Sequence, residues 1–332
     1  MSRPELTEPG SVSRAPLQGG ASSGVRSLSV VIPVYNSEAG LRGLVDRLEI
    51  ALSALGIPYE AVLVNDGSRD GSWDVICDLA RDRTWIAGIN LMRNYGQHNA
   101  LLCGVRAASH DIIVTMDDDL QNPPEEIGKL LAPIELGFDV VYGPPHKEQH
   151  GLLRDAASRI TKLALQGAMG ADTARNVSAF RAFRTQLRIA FEQYHGPYLS
   201  LDVLLTWSTT RFSAVRVRHD PRKIGVSNYT VRKLIVHALN MMTGFSTLPL
   251  QLGSVLGFAC TLFGFGVLVL VLIRYLLGGS AVPGFAFLAC IIAIFSGVQL
   301  FTLGIMGEYL ARIHFRMMER PTYAVRSTTR PE

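Results

Sequence analysis

The chain has 332 residues, with 48% hydrophobic and only 18% charged side chains and a formal net charge of +4. That is enough length for one large domain or two modest ones. The apolar bias argues against an ordinary soluble enzyme, and the small charge gives no footprint for nucleic acid. The four cysteines, Cys77, Cys103, Cys260 and Cys290, show neither metal-ligand nor redox spacing and read as reduced structural thiols.

Residues 1–27 are rich in Ser, Gly, Pro and Ala and read as a disordered tail, with no apolar core of a signal peptide. Leu28 to Asn36 then reads as a strand entering a loop. Leu41, Leu44, Val45, Leu48, Leu52 and Leu55 recur at helical spacing. Tyr59–Val64 predicts a second strand, Asn65–Ser68 a polar turn, and 71–80 a helix. A third strand at 85–91, a helix at 97–108, a fourth strand at 111–116, a helix at 125–136 and a fifth strand at 138–142 follow. Alternating strands and helices imply an α/β domain with a mostly parallel, Rossmann-like sheet covered on both faces.

Each polar motif follows a strand: Pro33–Glu38, Asn65–Ser68, Arg93–Gln97 and Asp117–Gln121. Loops at the carboxyl ends of parallel strands converge on one crevice. Asp117 and Asp119 stand at alternating spacing and reach one side of an extended chain. Such oxygen ligands suit Mg²⁺ or Mn²⁺ shared with substrate phosphates. The same acidic stretch also suits a solvated turn or the start of the helix at Asn122–Glu126. No G-x-G-x-x-G follows a strand and no phosphate-loop lysine motif is present, which disfavours nicotinamide enzymes and P-loop kinases.

Beyond residue 234 charge almost vanishes. From Leu234 to Ile273 only His237 can carry one, and from Leu276 to Gly307 no side chain can. Two spans, about 252–277 and 285–307, each exceed the roughly 20 residues that cross a bilayer. The loop at 278–284 carries no basic residue, whereas Arg222, Lys223, Arg232 and Lys233 precede the spans and Arg312, Arg316 and Arg320 follow them. Arg274 near the far end of the first span can snorkel. The positive-inside bias is expected to put the N-terminal domain and both termini in the cytoplasm, with two passes through the membrane. Leu234, Ile235, Ala238, Leu239 and Met242 read as an interfacial amphipathic helix. The expected organisation is a tail at 1–27, an α/β domain at 28–227, an interfacial region at 228–250, a two-helix membrane domain at 251–310 and a cytoplasmic tail at 311–332.

The motifs Val30–Glu38, Val64–Ser68 and Met116–Pro124 together resemble family-2 glycosyltransferases of the GT-A fold. Arg93–His98, the two spans and Gly307–Ile313 resemble the membrane polyprenyl-phosphate members of that family. The resemblance covers residues 28 to about 325 and implies a nucleotide-sugar donor, most simply a UDP-sugar, and a polyprenyl-phosphate acceptor in contact with membrane lipid. It implies that Pro33, Tyr35 and Glu38 border the base and ribose and that Asp66 bonds the base. Asp117, Asp119 and Gln121 would hold the metal and donor pyrophosphate, with Asp118 beside them. Arg222, Ser227 and Asn228 would contact the donor phosphate, and Asp119 and Arg222 would carry the catalytic charge balance. Glu38 also suits a helix N-terminus, and Asp66 a turn.

The chain departs from its relatives on the acceptor side. Ala174–Arg184 lacks the acidic residue that many relatives carry, and Pro249-Leu250-Gln251 stands where they have Pro-Leu-Arg. Asp172 is the nearest carboxylate, and Asp202 is a spare candidate in an apolar run that also suits a structural role. A phosphate monoester is already largely dianionic and needs no strong base. Alternatives are a polysaccharide synthase of the same fold, for which Trp207 lacks the Gln-x-x-Arg-Trp motif, and a non-catalytic membrane scaffold. The sugar and polyprenol stay open, and a homo-oligomer is allowed.

Overall fold

The computed structural model describes residues 25–145, 176–195, 200–220, 248–278, 284–318 and 320–330. Strands β1 (Leu28–Val34), β2 (Tyr59–Asn65), β3 (Ile86–Leu91) and β4 (Ile112–Thr115) form the parallel centre of the sheet. Every residue of β1, β3 and β4 is buried, as expected for strands covered on both faces. The crossovers are α1 (Glu38–Ser53), α2 (Ser72–Asp82) and α3 (Gln97–Ala107). Helix α1 buries Leu41, Leu44, Val45, Leu48 and Leu52 as one stripe. Full burial of each leucine contributes on the order of 1.5–3 kcal/mol.

A 3₁₀ turn at Pro124–Glu126 leads into α4 (Ile127–Glu135) and then β5 (Val140–Tyr142). The fifth predicted strand does not sit beside the fourth. Between them lies β6 (Arg181–Arg184), antiparallel to both. A 3₁₀ turn (Thr185–Phe191), helix α5 (Leu201–Ser208) and strand β7 (Phe212–Ala214) complete this half, giving the order β7-β5-β6-β4-β1-β2-β3, with one more strand beyond β3.

Helices α6 (Leu248–Gly278) and α7 (Phe285–Met317) contact each other. Their 31 and 33 residues span about 46 and 50 Å at 1.5 Å per residue. Both are long and apolar enough to cross a membrane, and their most apolar windows are 6% and 0% buried inside the protein. A core helix of a soluble protein would be mostly buried. The proposed interfacial helix at 229–247 lies outside the described residues, as do residues 1–24 of the expected tail at 1–27.

The C-terminal segment departs from the expected tail at 311–332. Helix α7 continues to Met317, and β8 (Val325–Thr328) pairs antiparallel with β3 at the sheet edge. All four residues of β8 are exposed, so no apolar pattern announces it.

Candidate active site

Four loops leave the carboxyl ends of β1, β2, β3 and β4, and each holds a residue with positive φ: Asn36 (53°), Gly67 (64°), Gly96 (92°) and Leu120 (59°). For a bulky leucine that backbone is costly, and such outliers gather at sites whose geometry is over-determined. Gly67 has a second reason to lack a side chain. A Cβ there would sit 2.5 Å from the carbonyl carbon of Arg93 and from the amide nitrogen of Asn94.

Between the loops lies a cavity of about 730 Å³, lined by Pro33, Tyr35, Asp66, Asp117, Asp118, Asp119 and Gln121 among the residues expected from sequence. Asn94, Gly96, Gln97, His98, Ala179, Arg181 and Asp202 line it too. The carboxylates differ in what they do. The Gln97 amide donates to Asp117 Oδ1 at 2.6 Å. Asp119 Oδ1 accepts the Gln121 N–H at 3.1 Å, across the left-handed Leu120. Asp118 binds inward, accepting the Tyr35 N–H at 3.2 Å and the Ser37 hydroxyl. Burial raises its pKa, and the Ser37 and Tyr35 hydrogen bonds oppose the rise. It therefore fastens the β4 loop to the β1 loop.

Asp66 accepts two backbone N–H groups, from Tyr95 at 2.7 Å and Gly96 at 2.9 Å. Burial raises its pKa and these amides pull against the shift. Its carboxylate thus braces the β3 loop while lining the cavity. Glu38 is placed differently from the other expected residues. It is not among the lining residues; its carboxylate accepts the Gly71 N–H at 2.8 Å, tying the start of α1 to the start of α2. A carboxylate at a helix N-terminus is favoured by the backbone dipole, the alternative its sequence position allowed. Arg222, Ser227 and Asn228 lie outside the described residues, as does Asp172.

Arg181, on β6, is buried under the cavity with Asp202 of α5. Its guanidinium donates to the Thr115 hydroxyl at 3.0 Å and pairs with the Asp202 carboxylate. Tyr142 is buried beside them, and its pKa is raised, chiefly by burial. In the sequence Arg181 stands out only as one residue of the segment Ala174–Arg184. The signal that could have found it is an arginine flanked by the apolar Phe180, Ala182 and Phe183, since a buried charge requires a partner.

Among the described residues no cluster of three or more His, Cys, Asp or Glu side chains is arranged to hold a metal by itself. Asp117 and Asp119 both line the cavity, as does Gln121. That partial oxygen set fits an ion that takes its remaining ligands from water and substrate phosphates.

Residues 29–193 match the family described as glycosyl transferase family 2. The chain is 36% identical over 311 residues to an undecaprenyl-phosphate 4-deoxy-4-formamido-L-arabinose transferase of Yersinia pestis, covering 93% of this chain and 95% of the relative. The Yersinia enterocolitica protein of the same name is 35% identical over the same extent. A solved glucosyl-3-phosphoglycerate synthase from Mycobacterium tuberculosis overlaps 66% of this chain and 78% of its own, with 19% identity and a TM-score of 0.49.

Proposed function

The chain belongs to glycosyl transferase family 2, and from that premise we propose that it moves one sugar from a UDP-sugar to a polyprenyl phosphate at the cytoplasmic face of the inner membrane. The observation that carries the donor side is the acidic cluster Asp117–Asp119 at the end of β4, facing a cavity built from four strand-end loops. The acceptor side is supported by similarity that runs through the membrane helices to relatives named for undecaprenyl phosphate.

The transfer is a displacement with inversion. An oxygen of the acceptor phosphate attacks the anomeric carbon, a new C–O bond forms, and the bond from that carbon to the donor pyrophosphate breaks. The nucleoside diphosphate leaves with the electron pair. The attacking phosphate is already ionised, so no proton must be removed from it. Asp117, Asp119 and Gln121 would hold a Mg²⁺ or Mn²⁺ ion, which supplies charge neutralisation at the pyrophosphate when bound. Gln97 orients the Asp117 carboxylate, and Asp118 keeps the β1 and β4 loops together. Arg222, Ser227 and Asn228 are proposed to meet the donor phosphate.

The orientation has its own support. Strand β3 precedes the two apolar helices and β8 follows them, yet both lie in one sheet. A hairpin that enters and leaves on the same face satisfies that pairing. Together with the basic residues around it, this supports our reading that the catalytic domain and the C-terminus share the cytoplasmic side. The deciding experiment supplies purified protein with undecaprenyl phosphate, Mn²⁺ or Mg²⁺ and a panel of UDP-sugars, and follows labelled sugar into the lipid phase. Transfer from at least one donor is expected. No transfer from any of them, with the protein folded and UDP not bound, would favour a scaffold instead.

A further inference from the structure

The segment that leaves α7 grips the donor loops. Tyr323 lies 5.7 Å from the Arg106 guanidinium, measured to the ring centroid. Arg106 also donates to the backbone carbonyls of Glu192 and Tyr194. The Ala324 carbonyl then accepts the Met92 N–H at 2.9 Å, and Arg326 Nη2 donates to the Met92 carbonyl at 3.0 Å. Thr329 and Gly88 exchange two bonds: the Thr329 N–H to the Gly88 carbonyl at 3.0 Å, and the Gly88 N–H to Thr329 Oγ1 at 2.8 Å. Arg330 closes the strand onto Glu60 at 2.8 Å.

Both backbone polar groups of Met92 are therefore held by chain that has just come out of the membrane hairpin. Met92 opens the loop whose Tyr95 and Gly96 amides bind Asp66 and whose end, Gln97, binds Asp117. Gly67 touches the same loop at Arg93 and Asn94. An unbroken series of hydrogen bonds and covalent links thus runs from β8 through Met92 to both Asp66 and Asp117. Helix α3, which begins at Gln97, is caught again at Arg106 by Tyr323.

We propose that the C-terminal strand positions the donor site: Ala324, Arg326 and Thr329 hold the Met92–Gln97 loop in its binding shape and so link membrane anchorage to donor affinity. The proposal rests on the reading of the cavity as the donor site. These residues touch no substrate; they act through the loop. An exposed edge strand with a Val-Arg-Ser-Thr sequence has little apolar burial of its own, so its hydrogen bonds set how firmly it holds.

The test uses the full chain in detergent or nanodiscs, with Thr329→Pro, which removes the amide donor and hydroxyl acceptor facing Gly88, and the milder Arg326→Ala and Arg326→Lys. Losing one or two such bonds shifts a local equilibrium by about three- to tenfold each. UDP Kd and donor KM should rise about tenfold in Thr329→Pro and about threefold in Arg326→Ala. Acceptor KM should not move, deuterium uptake across residues 92–97 should increase, and Arg326→Lys should recover most of the affinity. Should Thr329→Pro fail to fold, Arg326→Ala alone decides. Wild-type protein that binds UDP while Arg326→Ala binds it equally well, with unchanged uptake at 92–97, would overturn the inference. Wild-type protein that binds no UDP would instead overturn the donor reading beneath it.

Discussion

Arg330 and Glu60 stand 270 residues apart in the chain and 2.8 Å apart in the fold. Glu60 is buried on β2 and also accepts the hydroxyls of Ser29 and Ser109 and the Ser109 N–H. Burial alone would raise its pKa. The Ser109 amide, Arg330 and the two hydroxyls outweigh that and hold it down at about 2, from an ordinary 4.5. One carboxylate therefore joins β1, β2, the turn before β4 and the end of the chain.

A pKa depressed by folding means that the ionised form is favoured in the native state. The associated stability is complete above about 4.5 and is lost as pH falls through about 2. Glu60→Gln should cost about 2 kcal/mol at pH 7, because charged donors and acceptors lose their partner. Thermal unfolding in detergent checks this: the gap between variant and wild type should narrow progressively below pH 4.5. A gap that stays constant down to pH 2 would contradict the assignment.

Asp119→Asn should abolish transfer, since a neutral amide cannot replace the charge that keeps an ion against pyrophosphate. EDTA should do the same to wild type, reversibly on adding Mn²⁺. Undiminished activity in either case refutes the role given to the acidic cluster.

Gly67→Ala tests the crowding between the β2 and β3 loops. The left-handed backbone costs about 1–2 kcal/mol with a Cβ, and that Cβ has backbone atoms 2.5 Å away. Donor kcat/KM should fall by at least about tenfold, through KM, as one such penalty converts to that factor. Isothermal titration with UDP measures it directly, and an unaltered affinity would show that the loops can part without consequence.

Asp202→Asn separates a structural carboxylate from a catalytic base. It leaves the Arg181 charge buried without its anion, an arrangement that costs about 3–5 kcal/mol when one partner is removed. The melting temperature should drop markedly. The pH–rate profile of the folded fraction should keep a single ionisation near ~6, that of the acceptor phosphate. Loss of that limb, or its displacement to a new pH, would identify Asp202 as a proton acceptor.

Membrane orientation is checked by cysteine labelling in a background without native cysteines. Ser280→Cys should react with an impermeant reagent in intact cells, and Ser327→Cys only after permeabilisation. The reverse pattern would invert the placement drawn from the basic residues and the β3–β8 pairing.

The elements from β1 to α4 and the two apolar helices were legible because their causes are local. Burial on both faces writes a continuous apolar run, a helix buried on one side writes leucines at helical spacing, and a bilayer requires about 20 uncharged residues. The convergence of Pro33, Asp66 and Asp117 followed from the parallel topology those runs imply. The remainder depended on partners distant in sequence. Strand β6 is four residues long, with an arginine at each end and only Ala182 and Phe183 between them, so only its pairing with β4 and β5 makes it a strand. Glu38 faces Gly71 and leaves the cavity lining, a choice between two acceptable neighbours that packing decides. Strand β8 has four exposed residues, no apolar signature, and a register set wholly by the open edge of β3. An edge strand is defined by hydrogen bonds to another segment, and every backbone carries the same donors and acceptors, so its identity is not written in its side chains.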